Sequence, residues 1–408
     1  MHVLIVSQYF WPETFRINDL AEGLVERGHK VTVLTGKPNY PTGRLFPGYR
    51  LLGKTRELYK EIEIIRSPII PRGKSKIQLA LNYLSFSIFA SIMGTIKCKR
   101  PDVIFVFEPS PITVGLPAIF LKKLKKSPIL FWVQDLWPES VVAVNAVHSK
   151  KILFWLEKLV HFIYARCDYI LTTSRSFFSS IKKFDVPQEK LHYFPQTAES
   201  FYKPLDPILC VEEDKLLPKG FRIVFSGNIG TAQDIETILG AAKLLRDYQD
   251  IKWIFLGDGS KRRWLQNEII QNKLTDTVYW LGHYPVERMP RFFACADALL
   301  VTLKKDPVFS LTIPGKIQSY LACAKPVVAA LDGEGKEVIE ESKAGFVTHS
   351  GDSESLAKIT ISMYDLDDAE RKKMGLNGKN YFNEHFQRDL LLQKLENWMM
   401  ELKDKKIK

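Results

Sequence analysis

The chain has 408 residues, of which 46% are hydrophobic, 12% aromatic and 25% charged. This ordinary globular composition excludes a disordered or collagen-like chain, and the length suits two or three domains at about 150 residues each. The net charge of +12 lies wholly in residues 1–200, where 28 Lys and Arg meet 16 Asp and Glu, and the remainder holds 30 against 30.

A basic first half either meets something anionic or is a solvated face without a partner. Nucleic acid, a membrane surface and a phosphorylated ligand are the anionic candidates. No basic helix is interleaved with aromatic residues, which speaks against nucleic acid. The five cysteines form no CxxC clip and are odd in number, which points to buried thiols in a reducing compartment.

His2–Ser7 reads as a buried strand, too short and too weakly basic at its start for a leader. The loop Gln8–Glu13 follows, and Glu13 and Arg16 stand just beyond the strand. Ile17, Leu20, Ala21, Leu24 and Val25 share one helical face, and Gly28 closes that helix. Lys30–Thr35 is the next strand. Ile77–Ile96 carries no charge and is long enough to span a bilayer. Its Gln78, Asn82, Ser85, Ser87, Ser91 and Thr95 argue for a core or interfacial helix instead. Val103–Phe107, Ile129–Val133 and Tyr169–Thr173 read as short buried strands with helices between them.

Residues 195–220 are rich in proline and charge and read as a linker. Beyond it the pattern restarts, with strands at Arg222–Ser226, Lys252–Leu256, Val278–Leu281, Ala298–Val301 and Pro326–Ala330. A helix is expected from about Ala232 to Leu245. From about Glu354 onward the pattern is helical only. The alternation implies two doubly wound α/β halves with a helical tail. The domains are expected at 1–200 and 201–408, the last helix being able to return to the first.

Such sheets take ligands beyond the carboxyl ends of their strands. In the second half, Gly227-Asn228-Ile229-Gly230 and Gly257-Asp258-Gly259 each follow a strand. Glycine there admits close backbone approach, and helix-start amides attract anions. A pair of tight turns without a ligand would satisfy the same spacing. Lys316 lies in a helical first turn, where a cation opposes the helix dipole. A bound phosphate or plain solvent exposure would compensate it, and an exposed side chain is expected. Lys304 and Lys305 close a strand nearby. In the first half, Gln134-Asp135-Leu136-Trp137-Pro138-Glu139 and Glu108 follow strands, and Asp135 fits either chemistry or a helix cap. HExxH, CxxC and GxSxG are absent, so zinc and serine hydrolase readings fail. Asp365-Leu366-Asp367 falls in the helical tail and reads as a surface turn.

Together these motifs resemble glycosyltransferase family 4. The resemblance rests on Tyr9-Phe-Trp-Pro-Glu13, Gly28-His-Lys-Val-Thr-Val33, Asp135-Leu-Trp-Pro-Glu-Ser140, Gly227-Asn-Ile-Gly230 with Ala232-Gln233, Gly257-Asp-Gly259, and Thr312–Leu321 running into Ala324-Lys-Pro-Val327. It is nearest to the bacterial O-antigen and capsule branch that includes N-acetyl-L-fucosamine transferases. The resemblance implies a GT-B fold, two Rossmann-like domains facing a cleft. It also implies a retaining, metal-independent transfer with no cofactor beyond the UDP-sugar substrate. The chain departs from the family at several positions. Asn228 and Gln233 stand where an Arg and a Lys usually grip the donor diphosphate. Leu311 and Ser319 replace the usual Glu pair, and Gln134 replaces a His. Lys316 is then the first choice for the diphosphate, followed by Arg263 and Lys305, with Ser319 or Glu337 for the ribose.

The resemblance implies catalytic roles for Asp135, Gln134, Lys316 and Glu13. Gly227, Asn228, Gly230, Gln233, Gly257, Asp258, Gly259, Arg263, Lys305, Lys316, Ser319 and Glu337 would bind the donor. Arg16, Glu108 and Trp137 would bind the acceptor, a polyprenyl-diphosphate-linked saccharide. The protein is expected in the cytoplasm, peripherally on the inner face of the cytoplasmic membrane, with no nucleic-acid partner. A nucleotide-sugar 2-epimerase of the same fold and a non-catalytic anion binder are the rival readings.

Overall fold

Val3, Leu4, Ile5 and Val6 are all fully buried, as a parallel strand covered on both faces requires. The computed structural model describes residues 1–51, 53–73, 75–143 and 147–405. The chain divides into two units, Met1–Pro195 with Asp389–Lys408, and Gln196–Arg388.

Unit 1 holds eight strands: β1 His2–Val6, β2 Lys30–Gly36, β3 Arg56–Tyr59, β4 Ile62–Ser67, β5 Val103–Glu108, β6 Ile129–Val133, β7 Tyr169–Thr172 and β8 Leu191–Tyr193. Their order is β3-β4-β2-β1-β5-β6-β7-β8, parallel except for the antiparallel pair β3–β4. Unit 2 holds six strands: β9 Phe221–Ser226, β10 Ile251–Leu256, β11 Val278–Gly282, β12 Ala298–Thr302, β13 Val327–Ala330 and β14 Gly345–Thr348. Their order is β11-β10-β9-β12-β13-β14, and every pairing is parallel.

Four strands escaped the sequence reading: β3, β4, β8 and β14. Of these, β3, β8 and β14 are edge strands, and an edge carries a weak apolar signal because one side lacks a neighbour. The helix expected from Ala232 begins at Ile235 instead, after a 3-10 turn over Thr231–Gln233 and a left-handed Asp234 (φ 48°). The stretch 195–220 is not a bare linker. It carries a helix, Val211–Leu216, whose buried Glu213 accepts from Arg288 and Arg291 at 2.8 Å each. Asp367 caps the helix Asp368–His385 by accepting from the Glu370 N–H at 2.7 Å. All five cysteines are buried free thiols.

The last helix, Arg388–Lys405, belongs to unit 1 packing. Leu391, Leu392, Leu395, Met399 and Leu402 join the core formed by Val3, Ile5, Ile17 and Leu24. Glu396 accepts from Arg27 and contacts His29 Nε2, both at 2.7 Å. Burial opposes its ionisation, but these two hydrogen bonds prevail and lower its pKa. That contribution is present above the ordinary glutamate range and is lost as pH falls through the lowered value.

Leu395 is fully buried, so Leu395→Ala should cost about 2–5 kcal/mol. Urea unfolding followed by the fluorescence of Trp132 and Trp398 should show a lower midpoint with an unchanged slope. An unaltered midpoint would mean that this helix does not stabilise the unit.

Candidate functional site

In unit 2 the strand order reverses between β9 and β12, the place where open α/β sheets bind ligands. The loops after β9 and β10 are locked together there. Gly227 N–H donates to Leu256 O at 2.8 Å, and Ile229 N–H to Asp258 O at 2.9 Å. Gly227 and Gly257 have φ of +125° and +146°, which other residues rarely adopt. A Cβ on Gly257 would lie 1.9 Å from the Gly227 carbonyl oxygen.

Lys316 enters this place from the first turn of the helix Gly315–Ala322. Its Nζ donates to Gln233 Oε1 at 2.5 Å and lies 3.5 Å from the centre of the Phe225 ring. A Cβ on Gly227 would meet Lys316 Cε at 3.0 Å. The side chain is half-buried rather than exposed as expected, because it folds back over Phe225. Burial holds its pKa well below the usual lysine range. No carboxylate pairs with it among the described residues. The ammonium therefore stands against a glycine turn with one amide oxygen and one ring face as its partners.

Asn228 fills the space beside Gly230 and Gly259. Asp258 is exposed, accepts from Gly259 N–H at 2.7 Å, and pairs with Arg262 at 3.1 Å. Arg263 is exposed on the next helix and shares none of these contacts. Lys305 is exposed in the loop after β12, which is tied to the Gln233 turn by Lys304 N–H donating to Ala232 O at 3.0 Å. Ser319 is buried one turn beyond Lys316 and donates to Gly315 O at 3.4 Å. Glu337 is exposed. The buried carboxylate of that region is Glu334, which the sequence reading missed. Its flanking Gly333 and Gly335 pack on Ser310 and Pro314, and that Gly-Glu-Gly run was the available signal.

In unit 1, β1 and β5 flank the reversal. Two acidic residues expected in this unit's site, Glu13 and Glu108, are buried. Glu13, expected to be catalytic, is 2% exposed. Its Oε1 accepts from the N–H groups of Asn39 and Tyr40 at 2.8 and 2.7 Å, so it organises loops. Burial nonetheless pushes its pKa up. Glu108, expected to bind acceptor, is fully buried at the end of β5. Burial, then the neighbouring Asp135 charge, raises its pKa well above the usual range. The N–H groups of Asp135 and Gln134 oppose this, although neither Glu108 oxygen has a partner at good hydrogen-bond geometry. Asp135 itself is half-buried beside it, pushed up to about 6 by burial. Gln134 is anchored by its N–H donating to Glu108 O at 3.1 Å. Trp137 is nearly buried, with Nε1 unpaired among the described residues. Arg16 is half-buried just before the helix Ile17–Glu26. The sequence reading missed Arg72 and Tyr83, which lie beside Tyr9 in this unit.

The lowered pKa of Lys316 makes stability depend on pH. In the unliganded protein the unfolded chain binds the extra proton between the lowered pKa and the usual lysine value, so stability rises with pH across that window. Lys316→Met should therefore raise the thermal midpoint near neutral pH or leave it unchanged, and flatten this pH dependence. A marked fall in the midpoint would show the ammonium to be a structural contact.

Two family descriptions match the chain, one in each unit. Residues 15–197 match Glycosyltransferase Family 4, and residues 212–381 match Glycosyl transferases group 1. The chain is 25% identical over 322 residues to "Probable glycosyltransferase WbjE" of Pseudomonas aeruginosa, covering 76% of each chain. It is 22% identical over 368 residues to the amylovoran biosynthesis glycosyltransferase AmsK of Erwinia amylovora, covering 86% of this chain and 87% of that one. Among solved structures, Anabaena HepE in complex with UDP aligns with a TM-score of 0.72 at 15% identity, over 98% of this chain and 100% of that chain. With a GT-B fold and a family match in each unit, the chain belongs to the family 4 and group 1 glycosyltransferases.

Proposed function

We propose that the protein transfers a sugar from a UDP-sugar held on unit 2 to a polyprenyl-diphosphate-linked saccharide taken up by unit 1. The observation that carries this reading is the Lys316 ammonium, set against Gly227 without a carboxylate partner. A donor diphosphate would supply the missing negative charge. The turn amides and Lys316 would stabilise the charge that builds on the leaving UDP, as preorganised donors do. The solved relative HepE holds UDP, which supports the nucleotide. The relative AmsK is named for polysaccharide biosynthesis, which supports an O-antigen or capsule type of product. N-acetyl-L-fucosamine or a related amino sugar is the donor sugar to try first. Transfer proceeds with retention and without a metal, the leaving phosphate taking the acceptor proton. Asp135, half-buried with its pKa near 6, orients the acceptor from the unit 1 side.

The membrane side of the proposal rests on an inverted helix. In Lys76–Lys97 the polar Asn82, Ser85 and Ser87 are buried, while Ile77, Leu81, Leu84, Ile88, Ile92 and Ile96 are exposed. Its length and composition suffice for a membrane span. However, Gly94 packs so closely on Leu121 and Leu34 that the helix is part of the fold. Its neighbour Gly115–Lys125 exposes Phe120 and Leu124. The later helix Lys150–Tyr164 exposes Ile152, Phe154 and Trp155. Lys99, Arg100, Lys123, Lys126, Lys150 and Lys151 are exposed on or beside these helices. Apolar faces with adjacent basic residues suit a peripheral, two-signal attachment to an anionic bilayer. Lys122 and Lys125 serve the fold instead, pairing with Asp168 at 2.6 Å and donating to Cys98 O at 2.7 Å.

Three outcomes test the reading. With a donor panel and membrane extract as acceptor source, product mass should report one added sugar, and the anomeric coupling in the product's NMR spectrum should show the donor's configuration kept. Release of an epimerised sugar from UDP-sugar alone would favour the epimerase instead. Lys316→Ala should lower turnover by roughly 10²–10³, as loss of one charge-stabilising donor does, and EDTA should leave the wild-type rate intact. A strict Mg²⁺ requirement would refute the charge assignment. In flotation with liposomes, binding should grow with anionic lipid and weaken between about 50 and 300 mM salt, and further on neutralising Lys123 and Lys126. Equal partitioning onto neutral and anionic vesicles would refute the electrostatic half of the attachment.

A further inference from the structure

Arg72 lies between β4 and the helix Lys76–Lys97, in a segment held from several sides. Its N–H donates to Asn39 Oδ1 at 2.8 Å. Two residues earlier, Ile70 N–H donates to Ser85 Oγ at 2.9 Å, and Ile70 O accepts from Asn82 Nδ2 at 2.6 Å. The Arg72 carbonyl oxygen packs so tightly on Gly43 (φ +77°) that a Cβ there would lie 1.9 Å away. The backbone is thus fixed before any ligand arrives.

The guanidinium it presents is half-buried and surrounded by phenols. Nη1 donates to the Tyr9 hydroxyl at 3.3 Å, and the group lies 5.4 Å from the centre of the Tyr40 ring. Tyr83 faces it from the helix and also lies beside Ser110 in the loop after β5. No carboxylate pairs with Arg72 among the described residues. Arg66, only six positions earlier, shows what the fold does with a structural arginine, since it is buried against Glu57 at 2.5 Å. Asp135 acts on Tyr83, and Glu13 is spent on the Asn39 and Tyr40 amides.

A fixed, half-buried guanidinium without an acid is a binding site for an oxyanion, which it engages through paired N–H donors. Its position narrows the ligand. Tyr9 follows β1 and Ser110 follows β5, the two strands at the reversal of this sheet. Tyr83 lies on the helix whose Leu81, Leu84 and Ile88 are bare to the outside. An anion at Arg72 therefore lies at the edge of an exposed apolar stripe, an arrangement that fits an amphiphile with a phosphate head and a hydrocarbon chain. We propose that Arg72, framed by Tyr9, Tyr40 and Tyr83, binds the phosphate linking the acceptor saccharide to its lipid. This rests on the transferase reading above and adds the residue that grips the acceptor.

The test uses the purified full chain with three probes, farnesyl diphosphate, inorganic pyrophosphate and UDP, followed by calorimetry. Wild type should bind farnesyl diphosphate more tightly than pyrophosphate. Arg72→Gln should weaken farnesyl diphosphate binding about 10- to 100-fold, the usual size of a charge-assisted contact. Arg72→Lys, which keeps the charge but not the fork, should fall between the two and guards against a folding defect in the first variant. UDP affinity serves as the control for the fold. Farnesyl diphosphate binding at wild-type strength in Arg72→Gln would overturn the proposal, as would a parallel loss of UDP binding in both variants. A wild-type preference for pyrophosphate would also overturn it, since the site would then read a free anion. If wild type binds UDP but not farnesyl diphosphate, this assignment fails and the transferase reading survives. Absence of UDP binding would strike the transferase reading itself.

Discussion

A parallel sheet has to be covered on both faces, and most of this structure follows from that requirement. Its inner strands are mostly apolar, so most polar chemistry is driven to the loops beyond their carboxyl ends. In unit 1 the requirement also explains the chain's last step. One face of the β1 region is closed by the helix Ile17–Glu26 and by the final helix, whose Leu395 and Met399 are fully buried. Glu396 fixes that final helix through Arg27 and His29, which flank the turn that the sequence marks with Gly28.

The opposite covering shows how the same requirement can be met by an unusual helix. Lys76–Lys97 buries Asn82, Ser85 and Ser87 beside Phe86 and leaves most of its leucines and isoleucines outside. Asn82 is tied to Gln8 at 2.8 Å and to Ile70 O, and Ser87 to Thr113 O at 3.0 Å. These hydrogen bonds satisfy polar groups that burial would otherwise penalise. Small buried residues also let the helix approach β2 and the next helix closely, as Gly94 does. The outward leucines and isoleucines are then free to meet a nonaqueous phase.

The charged groups of the two units are arranged in contrasting ways. Unit 2 brings a lone ammonium to a cradle of glycines, and unit 1 brings two carboxyl groups, Glu108 and Asp135, to adjacent strand ends. Both placements are costly without a partner, because a buried charge loses its hydration. Lys316 lowers this cost through Gln233 and the Phe225 face, and Glu108 by holding its proton. Arg72 is the third such group, a cation softened by phenols. Some structural charges are neutralised, as Arg66 is by Glu57 and Glu213 by two arginines, while the ammonium groups of Lys37 and Lys325 are held by backbone carbonyl oxygens.

Sequence reading located the inner strands except β4, whose apolar run is broken by Glu63 and Arg66, because each of the others is a short apolar run between turn signals, and it found both glycine turns because glycine leaves a visible mark. It singled out Lys316 from its place at a helix start, but not its partial burial against Phe225. Edge strands β3, β8 and β14 were not legible, since half-covered residues break the apolar run. The burial of Glu13 and Glu108 was not legible for a different reason. A carboxylate after a strand looks the same in sequence whether it faces solvent or backbone amides. Arg72 was invisible because nothing local distinguishes it from the paired Arg66. Thus the sequence by itself determined the two α/β halves, the glycine turns and the excess of positive charge in residues 1–200. Only the tertiary structure decided which charges find a partner, because pairing joins residues far apart along the chain: Arg27 with Glu396, Lys316 with Gln233, and Arg72 with the phenol of Tyr9.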